Sequence, residues 1–105
     1  MNADILIEVR FFTTEEGGRQ TPLNLSKGEF PFGCPFVFSD GEAFDCWLLF
    51  ASEKVYEFGT PHQIPVKFLS WDLVKSKLTV GEAFTLWEGK TIATGKVLRI
   101  LKETL

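Results

Sequence analysis

Apolar and polar residues alternate along this chain with the two-residue period of strands and not the 3.6-residue period of helices. Ile5-Leu6-Ile7-Glu8-Val9-Arg10-Phe11-Phe12-Thr13 is rich in β-branched and aromatic residues, and it stops at the turn signal Glu15-Glu16-Gly17-Gly18. Residues 19–32, with Pro22, Gly28 and Pro31, read as an irregular loop. Cys34 to Phe38 predicts a second strand and Ala43 to Phe50 a third. In the third, Phe44, Cys46 and Leu48 share one face, and Asp45, Trp47 and Leu49 share the other. Residues 51–63, containing Gly59-Thr60-Pro61, form a connection. Ile64 to Trp71 predicts a fourth strand, with Pro65 near its start, where a missing N–H matters least. Residues 72–80 leave helix and loop open, since Asp72 could cap a single turn through Lys77. Glu82 to Glu88 sets Ala83, Thr85 and Trp87 against Glu82, Phe84, Leu86 and Glu88. Gly89-Lys90 is a turn, and Thr91 to Leu101 a long last strand with Gly95 as a bulge or close-approach site.

Six or seven short strands without a sustained helical period indicate a small all-β barrel or sandwich. The chain has 105 residues, which fits a single domain over 1–105. Hydrophobic residues make up 45% and charged residues 24%, so enough apolar surface can be buried to exclude disorder. No apolar run approaches the roughly 20 residues that span a bilayer. Phenylalanine stands out with 11 copies. Phe44 and Phe84 fall in alternating strands that a barrel would bury on one face. Phe30, Phe32, Phe36 and Phe38 crowd together too densely for all to point inward, which makes Phe30 and Phe32 candidates for a binding surface.

The net charge of -3 argues against a general nucleic-acid binder. Residues 1–50 carry eight acids against three bases, and residues 51–105 six acids against eight bases, so the second half could present a weakly basic face. No signal peptide is visible, and a reducing cytoplasm is the expected compartment. Cys34 and Cys46 lie on neighbouring predicted strands that turn near Ser39-Asp40-Gly41-Glu42. A turn centred between Asp40 and Gly41 pairs Cys34 with Trp47, and a one-residue shift pairs it with Cys46. Buried, reduced thiols acting as small hydrophobes are expected. Two cysteines and a single histidine do not make a zinc site.

Chemical motifs are weak. Gly89-Lys90-Thr91 has the end of a phosphate-loop pattern, but position 84 is Phe where glycine is needed, and the flanks are strand and strand. A tight hairpin turn explains it. His62 sits in the loop Thr60-Pro61-His62-Gln63 with no partner nucleophile in view. Glu15-Glu16 reads as a solvated turn. Trp47, Trp71 and Trp87 could stack on bases or sugars, but core or barrel-wall roles are expected. No catalysis, cofactor, nucleotide or metal is expected.

One signal is specific. Glu15-Glu16-Gly17-Gly18-Arg19-Gln20-Thr21-Pro22 resembles the acidic-Gly-Gly-Arg-His-Thr-Pro motif in the C-terminal barrel, domain 3, of elongation factor Tu. Lys27-Gly28-Glu29-Phe30-Pro31, leading into Pro35-Phe36-Val37-Phe38, resembles the Lys-Gly-Tyr-Arg-Pro run and aromatic strand of that family. Residues 81–97, from Gly81-Glu82-Ala83-Phe84 through Glu88-Gly89-Lys90-Thr91 to Gly95-Lys96-Val97, are similar to its closing hairpin. The likeness covers about residues 4–101.

The resemblance implies a six-stranded antiparallel Greek-key β-barrel. The family's GTPase domain has no counterpart here, so GTP hydrolysis is not carried over. Family histidine is replaced by Gln20, family arginine by Trp87, and the Gly-Gly-Arg tip is shortened to Gly89-Lys90. These loops are where the family's barrel meets the tRNA T-stem, which by position singles out Arg19, Gln20, Thr21, Lys90 and Thr91. The leading expectation is a non-catalytic protein-interaction domain related to translation. The alternatives are tRNA or other RNA binding through Arg19, Lys90 and the C-terminal lysines, or an accessory, immunity-type protein that copies the factor's surface.

Overall fold

The computed structural model describes residues 2–17, 23–24, 32–51 and 54–102. Six strands form one closed antiparallel barrel: β1 (Ile5–Phe11), β3 (Phe32–Phe38), β4 (Ala43–Leu48), β6 (Pro61–Phe68), β7 (Ala83–Trp87) and β8 (Thr91–Ile100). Around the barrel the order is β1-β6-β4-β3-β7-β8, with β8 pairing back onto β1. Closure leaves no outer edge strand on the barrel. A two-stranded sheet, β2 (Leu23–Asn24) with β5 (Val55–Tyr56), lies outside it. One helical turn, α1 (Trp71–Val74), continues as a 3-10 turn over Lys75–Lys77.

Alternation drives the packing. Ile5, Ile7, Val9 and Phe11 of β1 point inward, and Ile64, Val66 and Phe68 of β6 meet them from the neighbouring strand. Phe36 lies at the centre of one aromatic cluster. It stacks on Phe84 at 4.2 Å between ring centres and meets Phe38 and Phe68 edge-on at 5.1 Å. Phe11, Phe50, Phe58 and Tyr56 form a second cluster. Gly95 lets β8 run close to β1. A Cβ there would lie 2.2 Å from the Glu8 carbonyl oxygen and 2.8 Å from Phe84 Cζ.

Several expectations need correction. Phe32, Phe36 and Phe38 are separated by even numbers of residues along one strand, so all three face the same way. Phe36 and Phe38 are buried, and Phe32 packs on the core. The fourth predicted strand begins earlier and ends earlier, at Pro61–Phe68, so His62 is a strand residue and Trp71 is not. Pro65 therefore sits mid-strand. Its carbonyl accepts Leu49 N–H at 2.9 Å, so its nitrogen also faces β4, where the ladder with β6 has ended at Leu48↔Val66. The helical turn has Ser70, not Asp72, at its N-cap, without a side-chain cap. Of the core and barrel-wall alternatives for the tryptophans, Trp47 and Trp87 take the wall, exposed on its outer face, because they occupy the outward parity of β4 and β7.

The β3–β4 connection follows the shifted register. Ser39, Asp40 and Gly41 form a three-residue loop between Phe38 and Glu42, with Gly41 at φ +91° and Phe38 N–H bonded to the Glu42 carbonyl at 2.8 Å. Cys34 consequently faces Cys46, not Trp47.

Candidate binding groove

The residues singled out by sequence separate in the structure. Lys90 and Thr91 are exposed at the β7–β8 turn, where Gly89 takes φ +69° and Glu88 N–H donates to the Lys90 carbonyl at 2.8 Å. That turn joins two strands, so Gly89-Lys90-Thr91 is a hairpin. Phe32 is half-buried, with its ring 6.2 Å from that of Phe50. Arg19, Gln20, Thr21 and Phe30 lie outside the described residues.

The chemical candidates are accounted for structurally. His62 Nε2 lies 2.8 Å from the Glu57 carbonyl, which can only accept, so that nitrogen carries the proton and donates. Its ring meets Tyr56 edge-on at 5.2 Å. Glu16 closes a capping box with Thr13 and pairs with Arg10. The hydrogen bond to the Thr13 N–H, then the Arg10 guanidinium, holds its carboxyl below the usual range. Cys34 and Cys46 are free and buried. Its hydrogen bond with Cys34, then burial, pushes the Cys46 thiol well up, the opposite of what a nucleophilic thiolate needs. Among the described residues no group of three His, Cys, Asp or Glu side chains could hold a metal ion, and no helix is long and apolar enough to cross a membrane.

A different site appears at one end of the barrel. Where β6 ends at Phe68, the chain turns through Leu69 and Ser70 into α1. Val74 plugs the barrel end, fully buried, which turns Leu73 and Asp72 outward on the same helical turn. Beside them, Trp47 of β4 stands on the outer face opposite Lys67 of β6. The Trp47 ring lies over Gly33, directly across on β3, where a Cβ would come within 3.1 Å of it. These elements enclose an open groove of about 510 Å³ between Trp47, Leu69, Trp71, Leu73, Lys67 and Lys102.

Asp4 organises the wall of this groove. Its carboxylate is completely buried. Oδ2 accepts Phe68 N–H at 2.8 Å, and Oδ1 faces Lys67 Nζ at 3.4 Å and Lys102 Nζ at 3.6 Å. Its backbone N–H donates to Val66, and its carbonyl accepts the N–H groups of Leu101 and Lys102. One residue thus fastens the start of β1, the end of β6 and the exit of β8. Lys102 Nζ also stands 5.5 Å from the centre of the Trp71 ring. A second cleft, lined by Asn2, Ala3, Asp4 and Leu101, shares Lys67 and Lys102 with the groove.

Sequence reasoning named the tryptophans and the C-terminal lysines but not their meeting, and it passed over Asp4. No local signal marked it, because an acid flanking a strand is ordinarily solvated and Asp4 is held by partners about 60 and 100 residues away in sequence. In comparisons with known proteins, no family model and no curated protein matches this chain.

Proposed function

We propose that this chain is a non-catalytic protein-interaction module, working in a reducing cytoplasm, that docks a partner protein through the groove beside α1. The carrying observation is the exposed apolar lining. Leu69 is 57% and Leu73 64% exposed, and they flank two tryptophans around one concavity. Such grouped exposure of large apolar side chains on a small domain marks an interaction site. The elongation-factor-Tu-like ancestry is part of the same proposal. It is supported by the three ordered motifs, by the closed six-stranded barrel, and by the return of β6 to lie beside β1 after the β3–β4–β6 run, as a Greek key requires. A translation-related partner follows from that ancestry.

The test is a native pull-down with the wild-type chain and with Leu73→Glu, whose exposed position leaves folding intact. A protein retained by the wild type and lost by the variant supports the groove. Recovery of no protein, or equal recovery by both, overturns it.

A second reading keeps RNA binding at the β7–β8 turn. There Lys90 is exposed and Trp87, 47% exposed, pairs in register with Thr91, which sets a ring and a cation on one hairpin. Gel shifts with tRNA at low salt test it. Binding that weakens steeply with salt and is lost in Lys90→Ala supports this reading, and absence of binding removes it.

A further inference from the structure

The lysine pair gives the groove a chemical preference that its apolar lining alone lacks. Lys67 Nζ and Lys102 Nζ share one oxygen of one carboxylate, Asp4 Oδ1, at 3.4 and 3.6 Å. That carboxylate is closed to solvent, and its other oxygen is taken by Phe68 N–H. Two ammonium groups therefore face a single buried charge. Their own side chains remain 30% and 43% exposed, at the wall the groove shares with the neighbouring cleft. Asp72, the one acid among the described residues that line the groove, is matched by Lys75 Nζ at 3.3 Å. The lining is thus apolar with an excess of positive charge at one wall, and each ammonium carries three donors.

We infer that the groove takes a short acidic and apolar segment of a partner protein. A large apolar side chain sits among Trp47, Leu69, Trp71 and Leu73, and the adjacent carboxylate reaches Lys67 and Lys102. The inference rests on the docking reading above and adds the partner's chemistry. Asp4 already holds both lysines near one point, so an incoming carboxylate gains charge-assisted hydrogen bonds while ordering little extra side chain. Exposed leucines favour this occupant over a nucleic acid. Leu69 at 57% and Leu73 at 64% are more exposed than Trp47 at 36%, so the most accessible lining is aliphatic, which complements apolar side chains better than it stacks a base.

The test selects a random dodecapeptide phage library on the full-length folded chain, then measures resynthesised peptides by fluorescence anisotropy. The expected peptides carry Asp or Glu next to Leu, Phe or Trp. Their binding falls about tenfold in Lys102→Gln, falls again with added salt, and is restored in Lys102→Arg. Lys67→Gln, on the other side of the same oxygen, reproduces the fall, and near-UV circular dichroism reports that each variant is folded. Selected peptides that lack an acid, bind equally to Lys102→Gln and are lost in Leu73→Glu overturn the acidic preference and leave the docking reading standing. Failure to enrich any peptide, with a single-stranded oligonucleotide bound through Lys102 instead, overturns both.

Discussion

Cys34 and Cys46 stand directly opposite each other on β3 and β4, both pointing into the barrel and both free. Contact with Cys34 and burial raise the Cys46 thiol, so these are packing groups and not reactive ones. Thiol-specific reagents should modify neither in the native protein, at a rate that rises only as the protein unfolds. Cys46→Ser places a hydroxyl at a fully buried site and should destabilise by about 1–3 kcal/mol. Rapid native-state labelling would contradict this placement.

Gly95 and Gly41 are needed for different reasons, and alanine separates them. At Gly95 the added Cβ meets backbone at 2.2 Å, so Gly95→Ala should destabilise by about 3 kcal/mol, near the upper end for overpacking. At Gly41 the space is open and only the left-handed φ of +91° is strained, so Gly41→Ala should lose about 1 kcal/mol. Urea denaturation of the two variants checks the order.

Asp4 fastens three strand ends. Asp4→Ala leaves the buried Phe68 N–H without its acceptor, which removes about 1–3 kcal/mol of stability, while Asp4→Asn keeps an acceptor and should lose less. Both variants remove the charge that holds Lys67 and Lys102 near one point. Equal stability of Asp4→Ala and wild type would contradict the fastening role.

Lys77 bridges the β3–β4 loop to the turn after α1 through Asp40, at 2.8 Å, and Glu42. The Asp40 hydrogen bond, then that of Glu42, pushes Lys77 up to about 12, and Lys77 holds Asp40 below its ordinary 3.8. For the raised Lys77, stability is fully present below 10.5 and is lost as pH rises towards 12. For the lowered Asp40, stability is present above 3.8 and is lost as pH falls below it. Lys77→Met should flatten both limbs of a plot of urea midpoint against pH, and high salt should do so partly, because the cluster is solvent-facing. An unchanged profile in the variant would refute the bridge.

Much of the barrel was legible because its strands alternate. Even the β3–β4 register was readable. Cys34, Phe36 and Phe38 share a parity with Phe44, Cys46 and Leu48, and two inward faces of equal parity can pair only across an odd-numbered loop. Glycine at position 41 then supplies the left-handed residue such a loop needs. The start of β6 was hidden by Pro61, which reads as a breaker but occupies the first residue of the strand. The β2–β5 sheet has two residues per strand, too short for any period to show. The groove was illegible for another reason. Asp4, Trp47, Lys102 and the stretch from Lys67 to Trp71 are distant in sequence and meet only when β6 pairs with β4 and β1 and β8 closes on β1. No local pattern encodes that closure.

The three tryptophans report directly on where this protein is engaged. Trp47 and Trp71 line the groove, and Trp87 stands on the β7–β8 hairpin. Each gives one indole N–H signal in a nitrogen-15 correlation spectrum. On titrating the labelled protein with its native lysate, the Trp47 and Trp71 signals should shift or broaden while Trp87 stays in place, and Leu73→Glu should abolish the response. Movement of Trp87 alone, or of none of the three, would contradict docking through the groove.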